Sequence, residues 1–131
     1  MATFSETMNS QEQLDLVLKA VQTLENWGVD SARTVCILQL NTDSLAKFLD
    51  FAKSDDKFTE DQLRRIDLIA SFDSIIKSIF RSPSNLRNFA SYPNGNAGFD
   101  GRSLLEIMEV YDTNEWQRVY LIFKAEMMNP W

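Results

Sequence analysis

Three pairs of acidic side chains have a spacing that acid–base or metal chemistry could use. They are Glu12 with Asp15, Asp55 with Asp56, and Glu106 with Glu109. Two carboxylates held close together can exchange a proton or bind a cation. Acidic residues at such positions are also typical of the first turn of a helix or of its solvated face. Because no nucleophile–base pair and no ligand cluster accompanies them, the sequence favours a protein that is not an enzyme and that needs no metal and no cofactor.

The content of histidine and cysteine further limits the catalytic and metal-binding chemistry that is possible. The chain has no histidine, which removes the Ser–His and Cys–His nucleophiles, the imidazole metal ligands and the commonest general base. Its single cysteine, Cys36, cannot form an internal disulfide, so we expect a cytoplasmic protein. Cys36 lies in the apolar run 35–38, and we predict a small core residue rather than a nucleophile.

The loop within residues 93–106 is the other feature that could carry function. It contains three of the four glycines, and it ends in Ser103-x-x-Glu106, a capping box that starts a helix. A glycine-rich loop of this length is uncommon in a small chain, so its presence calls for a structural or functional explanation. One interpretation is a surface connection whose glycines supply positive φ, and the other is a recognition loop held between two helices.

Composition limits the class of protein. With 131 residues, 44% of them hydrophobic, the chain can bury the core of one domain. It has no apolar run long enough to span a membrane, and residues 1–10 lack the basic start and apolar block of a signal peptide. We therefore expect no membrane partner. The net charge is −6, with five basic and ten acidic residues over 1–60 and eight and nine over 61–131, which is not the basic footprint of a strong nucleic-acid binder.

Hydrophobic periodicity and capping signals predict an all-α fold of six or seven helices, since the strand signal is poor. We expect a loose tail over residues 1–9. The predicted helices cover about 11–27, Asp30 or Ser31 to Leu38, a stretch from Thr42 or Asp43, about 60–80, Pro83 to just before Pro93, and Ser103 to about Val110. A last helix starts at Thr113 and is stopped by Pro130, which leaves residues 127–131 as a coda.

The step over residues 39–42 has the spacing of a helix-turn-helix. In that arrangement Thr42, Ser44 and Lys47 would face the major groove of DNA. Asp43 and the carboxylates that follow it oppose such binding, because each one works against the release of counterions. A polar break over residues 54–57 divides the chain into a helix-turn-helix-like lobe (10–57) and a C-terminal helical lobe (58–131). The alternative is that both form one compact domain.

Several short motifs then follow one another along the chain. They are Trp27-Gly28-Val29, Asn41-Thr42-Asp43-Ser44-Leu45, Phe58-Thr59-Glu60-Asp61-Gln62 leading into Arg65-Ile66, Phe80, Phe89, Pro93-Asn94, Phe99-Asp100-Gly101-Arg102-Ser103 with Leu105-Glu106, and Val119. Over roughly residues 14–126 this order resembles the antitoxins of the Xre/MbcA/ParS type. The chain departs from their pattern at Phe89, where tryptophan is usual, and at Leu104, where proline is usual.

The resemblance implies the antitoxin of a type II toxin–antitoxin pair. Its C-terminal lobe would bind a RES-domain toxin that consumes NAD and would block access to that active site. It also implies at least a homodimer, and repression of the pair's own operon through operator DNA. The alternative is an orphan helix-turn-helix transcriptional regulator without a toxin partner.

The expected toxin contact combines the glycine-rich loop with the chain end. Its residues are Asn94, Phe99, Arg102, Ser103, Met127, Met128 and Trp131. We predict that Arg102 is exposed, as an arginine at an interface would be. Phe99 is predicted to fill the core more readily than to meet a partner, and Ser103 to cap its helix.

Overall fold

The computed structural model describes residues 10–40 and 58–128. These residues form six helices and no strand, which confirms the predicted all-α fold. The helices are α1 (Ser10–Asn26), α2 (Ser31–Ile37), α3 (Glu60–Ile79), α4 (Pro83–Ser91), α5 (Leu104–Val110) and α6 (Thr113–Met128). The predicted tail over 1–9 and the predicted helix from Thr42 or Asp43 lie outside the described residues. No helix within 10–40 or 58–128 is long and apolar enough to cross a membrane.

Side-chain caps fix where most of these helices begin. Thr59 and Gln62 form a capping box at the start of α3: the Thr59 hydroxyl accepts from the Gln62 N–H at 3.0 Å, and the Gln62 side chain accepts from the Thr59 N–H at 2.9 Å. Asp30, Ser82 and Ser103 each accept a hydrogen bond from the backbone N–H three residues further on. Such caps satisfy N–H groups that have no partner inside the helix, so they confirm the predicted starts to within a residue or two.

Helices α1 and α3 run parallel to each other. Near the start of both, the side chain of buried Gln13 accepts a hydrogen bond from the Phe58 N–H at 3.2 Å. Near the far end, the indole of Trp27 donates to the Asp73 carboxylate at 3.1 Å. Trp27 is fully buried, so this bond gives its N–H the partner that a buried indole requires.

Helix α6 runs parallel to α3 on the other side. The guanidinium of Arg65 meets Thr113 at the start of both helices, and the ring of Phe72 lies 6.4 Å from that of Phe123 further along. Helix α3 therefore lies between α1 and α6. Helices α2, α4 and α5 pack against this trio, with α5 touching α2, α4 and α6.

An aromatic cluster forms the centre of the C-terminal half. Phe72 from α3, Phe89 from α4, Phe99 from the loop and Phe123 from α6 have ring centroids 5.2 to 6.4 Å apart. Phe99 meets both Phe89 and Phe123 edge to face, an arrangement that stabilises by about 0.5–1.5 kcal/mol per pair beyond the area buried. The cluster therefore ties the loop to three helices at once.

A buried guanidinium connects α2, α3 and α6. Arg65 is 7% exposed. It donates from Nη1 to the Ile37 carbonyl and from Nε to the Thr113 hydroxyl, both at 2.8 Å. Asp61 lies 3.3 Å from Nε, and the guanidinium stacks 4.5 Å from the centre of the Trp116 ring. Burial lowers the pKa of Arg65, but arginine starts so high that the side chain stays charged.

Cys36, predicted to be a core residue, is instead exposed, and so are the apolar residues Leu18 and Ala70. Cys36 is exposed, because the buried side of α2 is formed by its neighbours at 34, 35, 37 and 38. Leu18 on α1 is exposed because Val17 takes the position that faces the core, and successive helical residues are 100° apart. Ala70 faces outward from α3 for the same reason.

Replacing Arg65 tests the importance of the buried guanidinium. Arg65→Ala should lower the free energy of unfolding by about 3 kcal/mol, because the Ile37 carbonyl and Thr113 hydroxyl lose a charged donor while they remain buried. The neighbouring Arg64→Ala is the matched control. It removes exposed hydrogen bonds to Asn114 and Gln117 and a 3.9 Å ion pair with Asp61, and should cost less than about 1 kcal/mol. Urea denaturation measures both, and equal effects would contradict this role of Arg65.

Candidate functional site

The glycine-rich loop closes on itself at its base. The Asn94 N–H donates to the Arg102 carbonyl at 3.2 Å, and the Gly101 N–H donates to the Asn94 carbonyl at 2.9 Å. The Asn94 side chain, itself buried, accepts from the Asn96 backbone N–H at 2.8 Å and from the Asn96 amide at 2.6 Å. We call residues 94–102 the closed loop. Asn94 holds its base together, since a short polar side chain in a turn often bonds to nearby backbone groups.

Glycine is required where the closed loop touches α6. Gly98 has φ +92°, and a Cβ added there would lie 3.1 Å from the Ile122 Cβ and 3.3 Å from the Val119 carbonyl oxygen. Gly101 also has a positive φ, +83°, but a Cβ there would have no atom within 4 Å. Gly98 therefore serves close packing as well as backbone conformation, whereas Gly101 serves conformation alone.

Arg102 points inward and clamps the closed loop onto α6. Its Nε donates to the Phe99 carbonyl at 2.8 Å and its Nη2 to the Gly98 carbonyl at 3.1 Å. The same Nη2 lies 2.9 Å from the Glu115 carboxylate, and the guanidinium stacks 4.7 Å from the centre of the Tyr111 ring. The prediction that Arg102 is exposed is wrong, since its side chain is only 14% exposed. The Phe99 and Gly98 carbonyls and the Glu115 carboxylate accept hydrogen bonds from its N–H groups, which accounts for its inward position.

Glu115 joins two arginines at the start of α6. Arg118 binds it through Nε and Nη2, both at 2.8 Å, and Arg102 binds it from the loop side. Asp100 lies 3.7 Å from both guanidinium groups. Hydrogen bonds from Arg118 first, and from Arg102, lower the pKa of Glu115 from its ordinary value of 4.5 to about 2, against the effect of desolvation.

The structure brings together only part of the predicted toxin contact. Asn94, Phe99, Arg102 and Ser103 lie in or beside the closed loop, with Phe99 fully buried and Ser103 capping α5. Met127 and Met128 lie at the far end of α6, where Met127 packs against the core and Met128 is 71% exposed. Since α6 rises 1.5 Å per residue, Met128 is about 20 Å along the helix from Glu115.

Other predicted residues fall outside the described part of the chain. Trp131 and the proposed DNA-contacting residues Thr42, Ser44 and Lys47 are among them. Sequence reasoning missed Glu115, Arg118 and Tyr111 as partners of the loop. The pairing of Glu115 with Arg118 could have been predicted from the sequence, because residues three apart on a helix are neighbours. The link from Glu115 to Arg102 has no comparable local signal.

The acidic pairs do not form a reaction centre in the residues that the structure describes. Glu109 forms an ion pair with Arg33. Asp15 accepts a hydrogen bond from Gln11 at 2.8 Å, as a solvated helix face would allow. Asp55 and Asp56 lie outside the described residues. Within residues 10–40 and 58–128, no three Asp, Glu or Cys side chains are grouped so that they could hold a metal ion.

Comparisons with models of protein families, with curated proteins and with solved structures gave no significant match to this chain.

The two loop glycines provide a matched pair of substitutions. Gly98→Ala and Gly101→Ala both place a side chain at positive φ, which costs about 1 kcal/mol. Gly98→Ala must also displace Ile122, so it should lower the free energy of unfolding by about 1 kcal/mol more than Gly101→Ala. Urea denaturation measures the difference. Equal losses would show that the closed loop does not pack tightly on α6.

The lowered pKa of Glu115 makes a prediction about pH. A carboxylate with a lowered pKa in the folded state contributes stability that is fully present above its unfolded pKa, near 4.5, and is lost as the pH falls towards 2. The wild type should therefore lose more stability between pH 6 and pH 2.5 than Glu115→Gln does. Glu126→Gln controls for removal of one exposed carboxylate. Identical pH profiles of unfolding for the wild type and Glu115→Gln would contradict the assignment.

Proposed function

We propose that this protein is the antitoxin of a type II toxin–antitoxin pair, which binds a RES-domain toxin and blocks its NAD-consuming active site. The proposal starts from the resemblance of residues 14–126 to Xre/MbcA/ParS-type antitoxins. The observation that carries it furthest is the construction of the closed loop. Residues that carry the resemblance in the C-terminal half fold into one braced unit with an exposed tip, which suits a surface made for a partner protein.

The geometry changes the roles that we assign within this unit. Asn94, Phe99, Arg102 and Ser103 are positioning residues, because their polar groups or ring are engaged within the chain. The exposed groups of this unit are the tip residues, Gly95 to Ala97, together with Asp100 and the solvent-facing part of Arg118, which also donates to Glu115. Hydrogen bonds hold the base of the loop in place, so ordering it on binding costs less conformational entropy than ordering an open loop would.

The chain end would supply a second part of the contact. Met128 is the most exposed large apolar residue in the part of the chain that the structure describes. An unbranched, polarisable side chain of this kind adapts to an irregular partner surface. Because Met128 and Glu115 are about 20 Å apart along α6, a toxin that covers both must lie along this helix rather than touch one point.

Repression of the operon through DNA is a second proposal, and the turn after α2 favours it. Gln39 adopts φ +53°, and the side-chain amide of Gln62 donates to the Leu38 and Gln39 carbonyls at 3.3 and 2.8 Å. Gln39, the first residue of the predicted helix-turn-helix step, thus has the left-handed backbone conformation of a turn that follows a helix. Thr42, Ser44 and Lys47 would contact operator DNA, against the acidic charge of the whole chain.

A steric block at the loop tip tests the antitoxin proposal. The RES-domain protein encoded in the neighbouring reading frame is purified, and its NAD consumption is measured with increasing amounts of this chain. The wild type should inhibit it. Ala97→Arg adds a long side chain to the exposed tip and should weaken binding by about thirtyfold or more, the loss expected at a central contact. Deletion of residues 129–131 should weaken inhibition as well.

Ala32→Arg is the matched control, since it makes the same substitution at an exposed alanine on α2. It should inhibit as the wild type does. Full inhibition by folded Ala97→Arg would move the contact away from the loop. If no neighbouring RES-domain protein exists, or if it does not bind, the antitoxin proposal fails, and retardation of upstream DNA by the chain would then favour the orphan regulator.

A further inference from the structure

Residues 74–99 form a long stretch of the chain without an acidic side chain. They include Lys77, Arg81 and Arg87 and no aspartate or glutamate, although the chain as a whole has a net charge of −6. In the structure they form the end of α3, the whole of α4 and the first part of the closed loop. This stretch therefore adds only positive charge to a chain that is acidic elsewhere.

Two arginines of this stretch lack the ion pairs that the other arginines have. Each of the others forms an ion pair with an aspartate or a glutamate; they are Arg33, Arg64, Arg65, Arg102 and Arg118. Within residues 10–40 and 58–128, no carboxylate pairs with Arg81 or Arg87, whereas Lys77 is bound to Asp73 at 2.8 Å. The stretch without acidic residues thus presents two cations that the described part of the chain does not neutralise.

Arg87 lies in the middle of the outward side of α4. Leu86 and Ala90 of this helix are buried, whereas the side chains at 84, 87, 88 and 91 are exposed and share the opposite side, as helical periodicity requires. The stem of Arg87 lies over the turn that follows α1, since a Cβ added at Gly28 would be 3.3 Å from the Arg87 Cδ. Packing of the stem leaves the charged head in solvent, so a partner that binds this head orders little more of the side chain.

The acidic residues near that turn do not neutralise Arg87. Glu25 and Asp30 line a separate hollow against α2, together with Val29 and Thr34. Asp30 also accepts a hydrogen bond from the backbone N–H of Arg33 at 2.8 Å, as the cap of α2. In the part of the chain that the structure describes, neither carboxylate forms an ion pair with Arg87. Its guanidinium can therefore still bind a carboxylate in the bidentate geometry.

An exposed tyrosine follows α4. Tyr92 is 61% exposed, and its backbone N–H donates to the Asn88 carbonyl at 2.9 Å. Arginine and tyrosine are enriched at the centres of protein–protein interfaces, whereas aspartate and glutamate are depleted there. Arg81 before α4, Arg87 on it and Tyr92 after it match this composition. We call these three residues, together with the exposed side of α4, the α4 surface.

We propose that the α4 surface binds an acidic segment of a partner protein. Carboxylates of that segment pair with Arg81 and Arg87, and an apolar side chain of the segment packs on the Tyr92 ring. Charge complementarity supports this partner, because carboxylates are the groups that the other arginines of the chain bind. The proposal does not rest on the antitoxin function, since it uses neither the loop tip nor the end of α6.

A protein segment fits this surface better than a nucleic acid does. Affinity for a phosphate backbone grows with the number of phosphates that a protein neutralises, and here two arginines act against a net charge of −6. A protein interface, in contrast, can draw most of its binding energy from a few arginine and tyrosine side chains. The α4 surface has enough anchors for a protein partner and too few cations for a nucleic acid.

Nuclear magnetic resonance tests this surface with a peptide of defined charge. An octapeptide of alternating glutamate and leucine is titrated into the nitrogen-15-labelled chain, and an octapeptide of alternating glutamine and leucine is the neutral control. The acidic peptide should shift the backbone amide signals of residues 81–92 in a saturable way, and added salt should weaken its binding. The neutral peptide should leave these signals unchanged.

Charge reversals show whether the two arginines account for the binding. Arg81→Glu and Arg87→Glu should each bind the acidic peptide at least about tenfold more weakly, because each replaces an attraction by a repulsion. Lys19→Glu is the matched control, since it changes the net charge equally at an exposed lysine on α1, and it should leave the affinity nearly unchanged. Arg87→Gln removes the charge without reversing it and should have a smaller effect than Arg87→Glu. Circular dichroism checks that every variant remains folded.

Three results would overturn the proposal. They are a lack of saturable shifts with the acidic peptide, shifts that lie away from residues 81–92, and an equal loss of affinity in Lys19→Glu. Tighter binding of an oligothymidylate than of the acidic peptide, lost in the same two arginine variants, would also overturn it and would assign the surface to a nucleic acid. Because toxin inhibition is measured separately, failure of this proposal and failure of the antitoxin proposal are distinguishable.

Discussion

The buried guanidinium of Arg65 is the constraint on which the arrangement of the helices depends. A charge removed from water must regain its hydrogen bonds within the protein. Here the acceptors come from the end of α2 at Ile37 and the start of α6 at Thr113, while Asp61 supplies the opposite charge. These groups are far apart in sequence, so the charge is satisfied only when α2, α3 and α6 take their observed places. The requirement thus selects one packing among the many that apolar faces alone would allow.

The position of the closed loop depends on this helix arrangement, because the loop is bound to the start of α6. Once Arg65 has placed Thr113 and Trp116, Glu115 between them lies where Arg102 can reach it. The energy that holds the loop comes mainly from elsewhere, because the buried ring of Phe99 contributes more than ion pairs that water partly screens. Apolar contacts therefore keep the loop in place, and the ionic network sets its orientation.

This division explains how much the sequence could predict. Helix starts were predictable because a cap such as Thr59 with Gln62 involves residues three positions apart, and Phe99 was expected in the core. The exposure of Arg102 was predicted wrongly, since Glu115 lies in another helix and no periodicity connects them. The burial of Cys36 was also predicted wrongly, because the apolar run around it does not show which side of a short helix faces the core. Contacts between residues close in sequence could be predicted, whereas contacts between residues in different helices required the three-dimensional structure.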